Sequence, residues 1–294
     1  MTHCMKFTSF LFGFTLLTMS LFAQSEALQI MTFNIRFDNP DDGYDAWPHR
    51  QQMVKSMITY NEVDIVGLQE ALRSQLDDMA RLMPAYEWFG LCRTDGTTNP
   101  EPDNEFSAIF YRKEHLERLD GATFWLSETP EKPGSKSWDA AITRIVTWAK
   151  FRDRRSGQVF FLFNTHFDHV GKVAREQSAH LMMERIAAIA ADAPVVLTGD
   201  FNCTETEAPY RVVTNANAQR RLYDAMLVSK TPHHGPLSTW SGFNFPGVPG
   251  RRIDFIFVND RVQVWKHAIL SDSWSGRFPS DHLPVLSRVV IANN

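Results

Sequence analysis

Two short segments concentrate the reactive side chains of this sequence: Gly199-Asp200-Phe201-Asn202 and Ser280-Asp281-His282-Leu283-Pro284. The first follows the apolar run Ala193 to Leu197, and the second precedes Val285 to Ile291. Side chains two residues apart on an extended strand share a face, so Asp200 and Asn202 point one way and Phe201 the other. Asn164, His166 and Asp168 repeat this relation within Asn164-Thr165-His166-Phe167-Asp168-His169. Asn34 ends the apolar strand Ile30-Met31-Thr32-Phe33-Asn34, and Glu70 closes Val66-Gly67-Leu68-Gln69-Glu70. Glu70 precedes helical residues, but a helix cap prefers a shorter side chain, so capping explains it poorly. Clustered oxygen donors suit a hard divalent cation, and an added imidazole suits proton transfer or phosphate contact. The chemistry implied is metal-assisted hydrolysis of phosphate esters.

The elements that must carry these groups follow from periodicity. Alternating or continuous apolar runs predict strands at Leu28–Arg36, Ile65–Gln69, Glu87–Leu91, Ala108–Tyr111, Ala122–Leu126, Ile145–Phe151, Val159–Thr165, Val195–Thr198, Ile253–Val258, Val262–Ile269 and Val285–Ile291. Helices are predicted at Arg50–Tyr60, Leu72–Met83, Val173–Ala191 and Ala208–Ala216. In the third of these Ala174, Ala179, Leu181, Met182, Ile186 and Ile189 form the apolar face. So many strands with so few helices are best buried as two sheets packed face to face, with helices over the outer faces. Site residues then lie on loops at one rim.

Size and charge narrow the class. The chain has 294 residues, 44% of them hydrophobic, and nothing in it resembles a linker or a repeat, so one domain over residues 24–294 is expected. Lys6 followed by the apolar run Phe7–Phe22 and then Ala23 reads as a secretory signal peptide over residues 1–23. The expected product is an exported, periplasmic or secreted monomer without a stable membrane span. A net charge of −4 argues against tight gripping of duplex nucleic acid. Arg152, Arg154 and Arg155, and Arg220 with Arg221, read as solvated turns, whereas Arg251 and Arg252 directly precede Asp254 and suit phosphate equally well. Cys92 and Cys203 give no disulfide framework and are expected as buried thiols.

The ordered set Asn34, Gln69-Glu70, Glu105, Asn164-Thr165-His166, Gly199-Asp200-Phe201-Asn202, Arg252-Ile253-Asp254 and Ser280-Asp281-His282 resembles the endonuclease/exonuclease/phosphatase superfamily, which includes deoxyribonuclease I, from about Leu28 to Val290. The resemblance implies an α/β (α+β) four-layer sandwich of two packed mixed β-sheets flanked by helices, and divalent-cation-dependent cleavage of phosphoesters. It also implies roles for individual residues. Asn34, Glu70 and Asp281 match a metal site, for which Mg2+ is expected and Mn2+ or Ca2+ are compatible. His282 matches the imidazole that contacts the scissile phosphate or handles the proton of the attacking water. Asp254 matches the carboxylate that pairs with it, and His166 with Glu105 suggests a second such pair. Asp200 and Asn202 match residues that hold the nucleophilic water and the charge developing on phosphorus. Arg144 matches a phosphate-binding arginine, against strand-edge solubility as the competing account. Asp168 and His169 extend the His166 motif with no role assigned.

The substrate is less determined. Trp125–Trp138 and Thr231–Arg251 are expected to overhang the pocket, with Trp125, Trp138, Trp240, Phe243 and Phe245 able to stack a ligand or simply to pack the loops. Asp95-Gly96 and Trp125-Leu126-Ser127-Glu128-Thr129-Pro130 resemble exported bacterial members related to deadenylase-type nuclease domains. A nuclease or phosphodiesterase acting on nucleic acid or a small phosphodiester is the first reading. A phosphatase or sphingomyelinase-like phospholipase is the second, and a catalytically silent binding module the third.

Overall fold

Strands buried on both faces need a partner layer on each side, and this chain builds four layers to provide them. The computed structural model describes Met1 and residues 27–215, 220–243 and 250–292, so the expected leader falls outside the described residues apart from Met1. In chain order the elements are β1 (Leu28–Asn34), α1 (Trp47–Tyr60), β2 (Ile65–Gln69), β3 (Ala71–Leu72), α2 (Arg73–Leu82), β4 (Tyr86–Phe89), β5 (Glu105–Phe106), β6 (Ile109–Arg112), β7 (Leu116–Trp125) and β8 (Ile145–Asp153). They continue with β9 (Val159–His166), α3 (Lys172–Ala190), β10 (Val195–Asp200), α4 (Ala208–Val213), β11 (Tyr223–Asp224), α5 (Ala225–Val228), β12 (Asp254–Val258), β13 (Val262–Ile269) and β14 (Val285–Ile291).

One sheet has the order β13-β14-β1-β2-β6-β4 and the other β11-β12-β10-β9-β8-β7. Both are mixed, because β1–β2 and β9–β10 are parallel while their neighbours run antiparallel. One apolar cluster lies between the sheets, holding Ile30, Ile65, Leu162, Val196 and Ile256. Met31, Phe33, Val66 and Leu68 turn the other way, onto Val54 and Ile58 of α1 and Leu76 and Met79 of α2. On the far side Phe163, Val195 and Leu197 meet Ala179, Met182 and Ile186 of α3. Of the predicted α3 face, Leu181 and Ile189 are only partly buried, while Arg175 and Ser178 are buried instead. Among the described residues no helix is long and apolar enough to cross a membrane.

The inward-facing positions change character along each central strand. β1 runs Leu28, Ile30, Thr32, Asn34; β10 runs Val196, Thr198, Asp200; β9 runs Leu162, Asn164, His166. β12, which is antiparallel to β10, reads Asp254, Ile256, Val258. Apolar residues therefore fill one end of the inter-sheet space and polar residues collect at the other. A hydrogen-bonded layer separates the two. Asn164 donates to Leu68 O (2.9 Å) and Ala108 O (3.0 Å), and accepts from Gln69 Nε2 (2.7 Å) and Thr198 Oγ1 (3.1 Å). A buried amide satisfied from both sheets fixes how they stack. Gly67 makes room for it: a Cβ there would lie 2.3 Å from Asn164 Oδ1.

The two-residue strands β3, β5 and β11 and the short α5 were not predicted, being too brief to show a period. Helix α4 ends at Val213 rather than Ala216, and β7 begins at Leu116 rather than Ala122. The Asn39-Pro40-Asp41 turn opens a 3-10 segment, Pro40–Asp45, with Asn39 Oδ1 accepting from Asp41 N at 3.2 Å.

Candidate active site

Strand register brings the reactive groups together. Asp200, the last residue of β10, lies opposite His166 of β9 on one side and opposite Asp254 of β12 on the other. Asn34 ends β1 opposite Gln69, one residue before Glu70. Asp281 and His282 lie in the loop entering β14, which is antiparallel to β1 and therefore starts at the same rim. Phe201 turns away between Asp200 and Asn202. Its ring centroid lies 4.9 Å from that of Phe167 and 5.2 Å from that of Phe257, so an aromatic cluster under α3 and α4 anchors the loop.

Asp200 is the hub. Its Oδ2 accepts from Asn34 Nδ2 (3.0 Å) and lies 3.3 Å from His166 Nε2 and 3.8 Å from His282 Nε2. Its Oδ1 accepts from the backbone N–H of Asn202 at 2.9 Å. Asn34 Nδ2 also donates to Glu70 Oε1 at 3.0 Å. His282 Nδ1 and Asp254 Oδ2 are 2.9 Å apart, and both residues are buried. Asp200, Asp254 and His282 thus present ligand atoms within 4.8 Å of one another. Backbone strain gathers here too, since Arg36, Glu70 and Asn202 adopt φ of +57°, +60° and +47°. Such conformations are unfavourable for residues with a Cβ and persist where the surrounding structure enforces them.

The electrostatics separate the two imidazoles. Burial works against charge on His282, but Asp254, Asp200 and Asp281 outweigh it and hold the ring well above the usual histidine range. His166 is driven well below that range by burial, reinforced by Arg144, Arg93 and His282, and is neutral. Burial raises the Asp200 carboxyl to about 7, with the like charge of Asp254 adding to it. Burial also raises Asp281, and Glu70 reinforces the rise against the pull of His282 and Arg36.

Not every predicted site residue does what the sequence suggested. The His166–Glu105 pair is not made. Glu105 is 2.5 Å from Nη1 of Arg93, while His166 turns its Nε2 to Asp200 and to Asn202 Nδ2 (3.0 Å), leaving Nδ1 without a hydrogen-bond partner among the described residues. A guanidinium is always charged and outcompetes a neutral imidazole for a carboxylate. Both amide hydrogens of Asn202 are engaged, on His166 and on Phe167 O (3.0 Å), so its side chain has only its oxygen to offer a ligand. Arg144 is buried at the cleft with Nη2 3.2 Å from His169 Nδ1, which removes the strand-edge account.

The paired arginines divide. Arg252 is buried on Asp224 (2.5 Å) and Glu205 (2.6 Å), a structural ion pair, whereas Arg251 is exposed and lines the cleft. Asp168 accepts four backbone N–H groups, from Ala141, Ile142, Val170 and Gly171. Burial pushes its carboxyl up, but these donors outweigh burial and hold it below the usual range. It pins the loop that carries Arg144. Trp125 is buried, donating to Arg93 O at 2.6 Å, so it packs the loop rather than overhanging the cleft. Trp240 is 42% exposed and does line the cleft, while Phe245 lies outside the described residues. Cys92 and Cys203 are buried and unpaired, as expected.

Sequence reasoning missed Arg93 and Arg50. Arg50 of α1 is fully buried and donates to Ile35 O (2.7 Å), Arg36 O (3.2 Å) and Pro279 O (2.8 Å), tying the loop after Asn34 to the loop before Asp281. Burial lowers its guanidinium to about 10. Nothing in the sequence marks it, because an arginine on an amphipathic helix ordinarily faces water. Glu70, Arg144, His166, Asp200, Asp281 and His282 line an open cleft of about 560 Å³.

The oxygen-rich side of this cleft suits a divalent cation. Glu70, Asp281, Asn34 and Asp200 converge there, and two of their carboxyls are raised, Asp200 by burial and Asp254, Asp281 by burial and Glu70, which a bound dication would relieve. The sequence model of the endonuclease/exonuclease/phosphatase family matches residues 31–282. A solved endonuclease/exonuclease/phosphatase from Bacteroides vulgatus is 39% identical, with a TM-score of 0.85, over 90% of this chain and 99% of that one. A mannosyl-6-phosphatase of Bacteroides thetaiotaomicron is 34% identical, with a TM-score of 0.82, over 90% and 100%. The CCR4-Not complex 3'-5'-exoribonuclease subunit Ccr4 of Saccharomyces cerevisiae is 24% identical over 222 residues, 67% of this chain and 23% of that protein. The chain spans 23% to 65% of the length of the curated relatives it matches.

Proposed function

From the premise that the chain belongs to the endonuclease/exonuclease/phosphatase family and is a phosphoester hydrolase, we propose that it cleaves a phosphate monoester of a small alcohol, sugar phosphates foremost, with magnesium as its cation. The cleft carries this reading. Its volume of about 560 Å³ suits a small ligand. The arginine clusters that could track a polynucleotide lie at the opposite rim, where Arg152 and Arg154 pair with Glu117, Arg155 with Asp153, and Arg220 with Asp192. The mannosyl-6-phosphatase among the similar structures supports the same class.

Glu70, Asp281 and Asn34 would hold the cation, with Asp200 beside them. When bound, it neutralises phosphoryl charge and polarises the bond to be broken. The chain's own residues do the rest. Arg144 donates to the phosphate from the wall opposite Glu70. Asp254 fixes the His282 ring and keeps it cationic, so that Nε2 donates to a phosphoryl oxygen. Asp200 takes the proton of the attacking water, and the amide oxygen of Asn202 orients that water. Neutral His166 holds Asn202 in place.

A phosphodiester substrate is the second reading, supported by the exoribonuclease among the curated relatives. One panel with magnesium separates the two: hexose phosphates, an aryl phosphomonoester, an aryl phosphodiester, single- and double-stranded nucleic acid and sphingomyelin. Monoester turnover at least about 100-fold above diester turnover is expected. Faster cleavage of either diester class would replace the first reading with the second.

A further inference from the structure

Trp240 is an anomaly in the cleft. Its backbone is among the most firmly held there, yet 42% of its surface is exposed. Trp240 N donates to Arg251 O (3.2 Å), and the residue bridges to His282. On either side, Ser241 N and Gly242 N donate to Asp281 O (2.8 and 3.0 Å), and Leu283 N donates to Thr239 O (2.6 Å). Thr239 Oγ1 in turn accepts from Ile253 N and Asp254 N, at 2.9 and 3.1 Å. The indole is thereby coupled, through backbone and the Thr239 hydroxyl, to both Asp281 and the His282–Asp254 pair. An aromatic ring fixed in place and left facing a cleft exposes apolar area that the fold itself does not use.

Its surroundings define what would cover it. Gly242, at φ +59°, lies against one edge of the indole, where a Cβ would come within 3.3 Å of the ring. The Arg251 guanidinium lies over one face of the ring, 6.0 Å from its centroid, exposed, and among the described residues no carboxylate pairs with it. Among the described residues the other large aromatic lining the cleft, Phe37, has the Arg36 guanidinium over one face at 4.4 Å. One open aromatic face beside a fork of N–H donors matches a pyranose, which has an apolar C–H face and a rim of hydroxyl acceptors. A nucleobase gripped between two rings would need Phe37, one face of which Arg36 covers.

We propose that Trp240 and Arg251 form the subsite for the alcohol side of the substrate, and that this alcohol is an aldohexose ring, stacked on the indole with its hydroxyls accepting from Arg251. This rests on the monoesterase reading of the same cleft. In turnover, Trp240→Ala is expected to lower kcat/KM for a hexose 6-phosphate, relative to methyl phosphate, by about 10-fold, mostly through KM, with Trp240→Phe restoring most of the ratio. Arg251→Met is expected to lower the same ratio by about 5-fold. An unchanged ratio in Trp240→Ala would overturn the assignment.

Ring contact is read separately from turnover, by saturation-transfer NMR with a hexose 6-phosphonate, which resists hydrolysis, on the magnesium-loaded protein. Transfer to the ring C–H protons in the wild type and its loss in Trp240→Ala supports the subsite. No transfer in the wild type, or transfer that survives Trp240→Ala, refutes it. Intact ring contact without hydrolysis of any monoester would instead count against the proposed reaction and leave the subsite standing.

Discussion

Replacing Asp254 by Asn tests the electrostatic arrangement most directly, because it removes a charge and keeps the shape. Asp254 Oδ2 is 2.9 Å from His282 Nδ1, and this pairing is the largest of the influences that raise the imidazole against the effect of burial. An opposite charge at such range moves a pKa by about one to three pH units, or about 1.4–4 kcal/mol of preference for the cationic ring. If the cationic ring is the active form, its contribution is present at low pH and lost as pH rises through the histidine's raised value. Above the values of both proteins, the cationic fraction in the variant is lower by about 10- to 1000-fold, and kcat/KM falls by the same factor. Below both values the deficit shrinks toward nothing.

The same substitution removes the like charge that helps burial raise Asp200 to about 7. A base must be ionised, so the acid limb follows Asp200, whose raised value a bound cation brings down, and in Asp254→Asn it moves to lower pH still. Both limbs of the bell should therefore shift in the acidic direction. The assay is kcat/KM from pH 5 to 10 at saturating magnesium, with circular dichroism to confirm folding. A uniform loss at every pH, or a basic limb that stays in place, would refute the reasoning.

Other perturbations divide the site from its scaffold. Glu70→Gln should lower kcat by at least about 1000-fold and raise the magnesium concentration needed for half-activity, with the melting temperature little changed; near-normal turnover would remove Glu70 from the cation site. Arg252→Met strands Asp224 in the interior and should destabilise the fold by about 3–5 kcal/mol in urea titration, without lowering kcat per folded molecule. Asn164→Leu breaks four hydrogen bonds, three of them linking the sheets, and should cost about 2–4 kcal/mol by the same titration, where less than about 1 kcal/mol would show that the layer is dispensable. Removing magnesium with a chelator should abolish turnover and its return should restore it, and turnover that persists would show that the carboxylates work without a cation.

Much of this was legible before any coordinates. Seven residues of β14 and five of β2 fall where alternation and apolar runs put them, because strands buried on both faces advertise themselves by composition. Parity alone placed Asp200 and Asn202 together and sent Phe201 into the core. What parity leaves open is the partner of each polar group. Glu105 is as suitable a partner for an imidazole as Asp254, and only the approach of Arg93 takes it away. Arg251 and Arg252 are chemically identical neighbours, yet one is buried on two carboxylates and the other faces the cleft.

The sequence by itself determined which strands exist, which faces they bury and which residue types end them, since those depend on local pattern and on the two-residue repeat of extended chain. It also held the ordered motifs that point to phosphoester chemistry. Tertiary structure decided the pairings: that Asp200 lies between His166 and Asp254, that Asn164 bolts the sheets together instead of facing substrate, and that Arg50 joins the loop after Asn34 to the loop before Asp281. Hydrogen bonds and ion pairs act over about 3 Å, and which groups come that close depends on sheet order, register and stacking, all set by contacts distant in the chain.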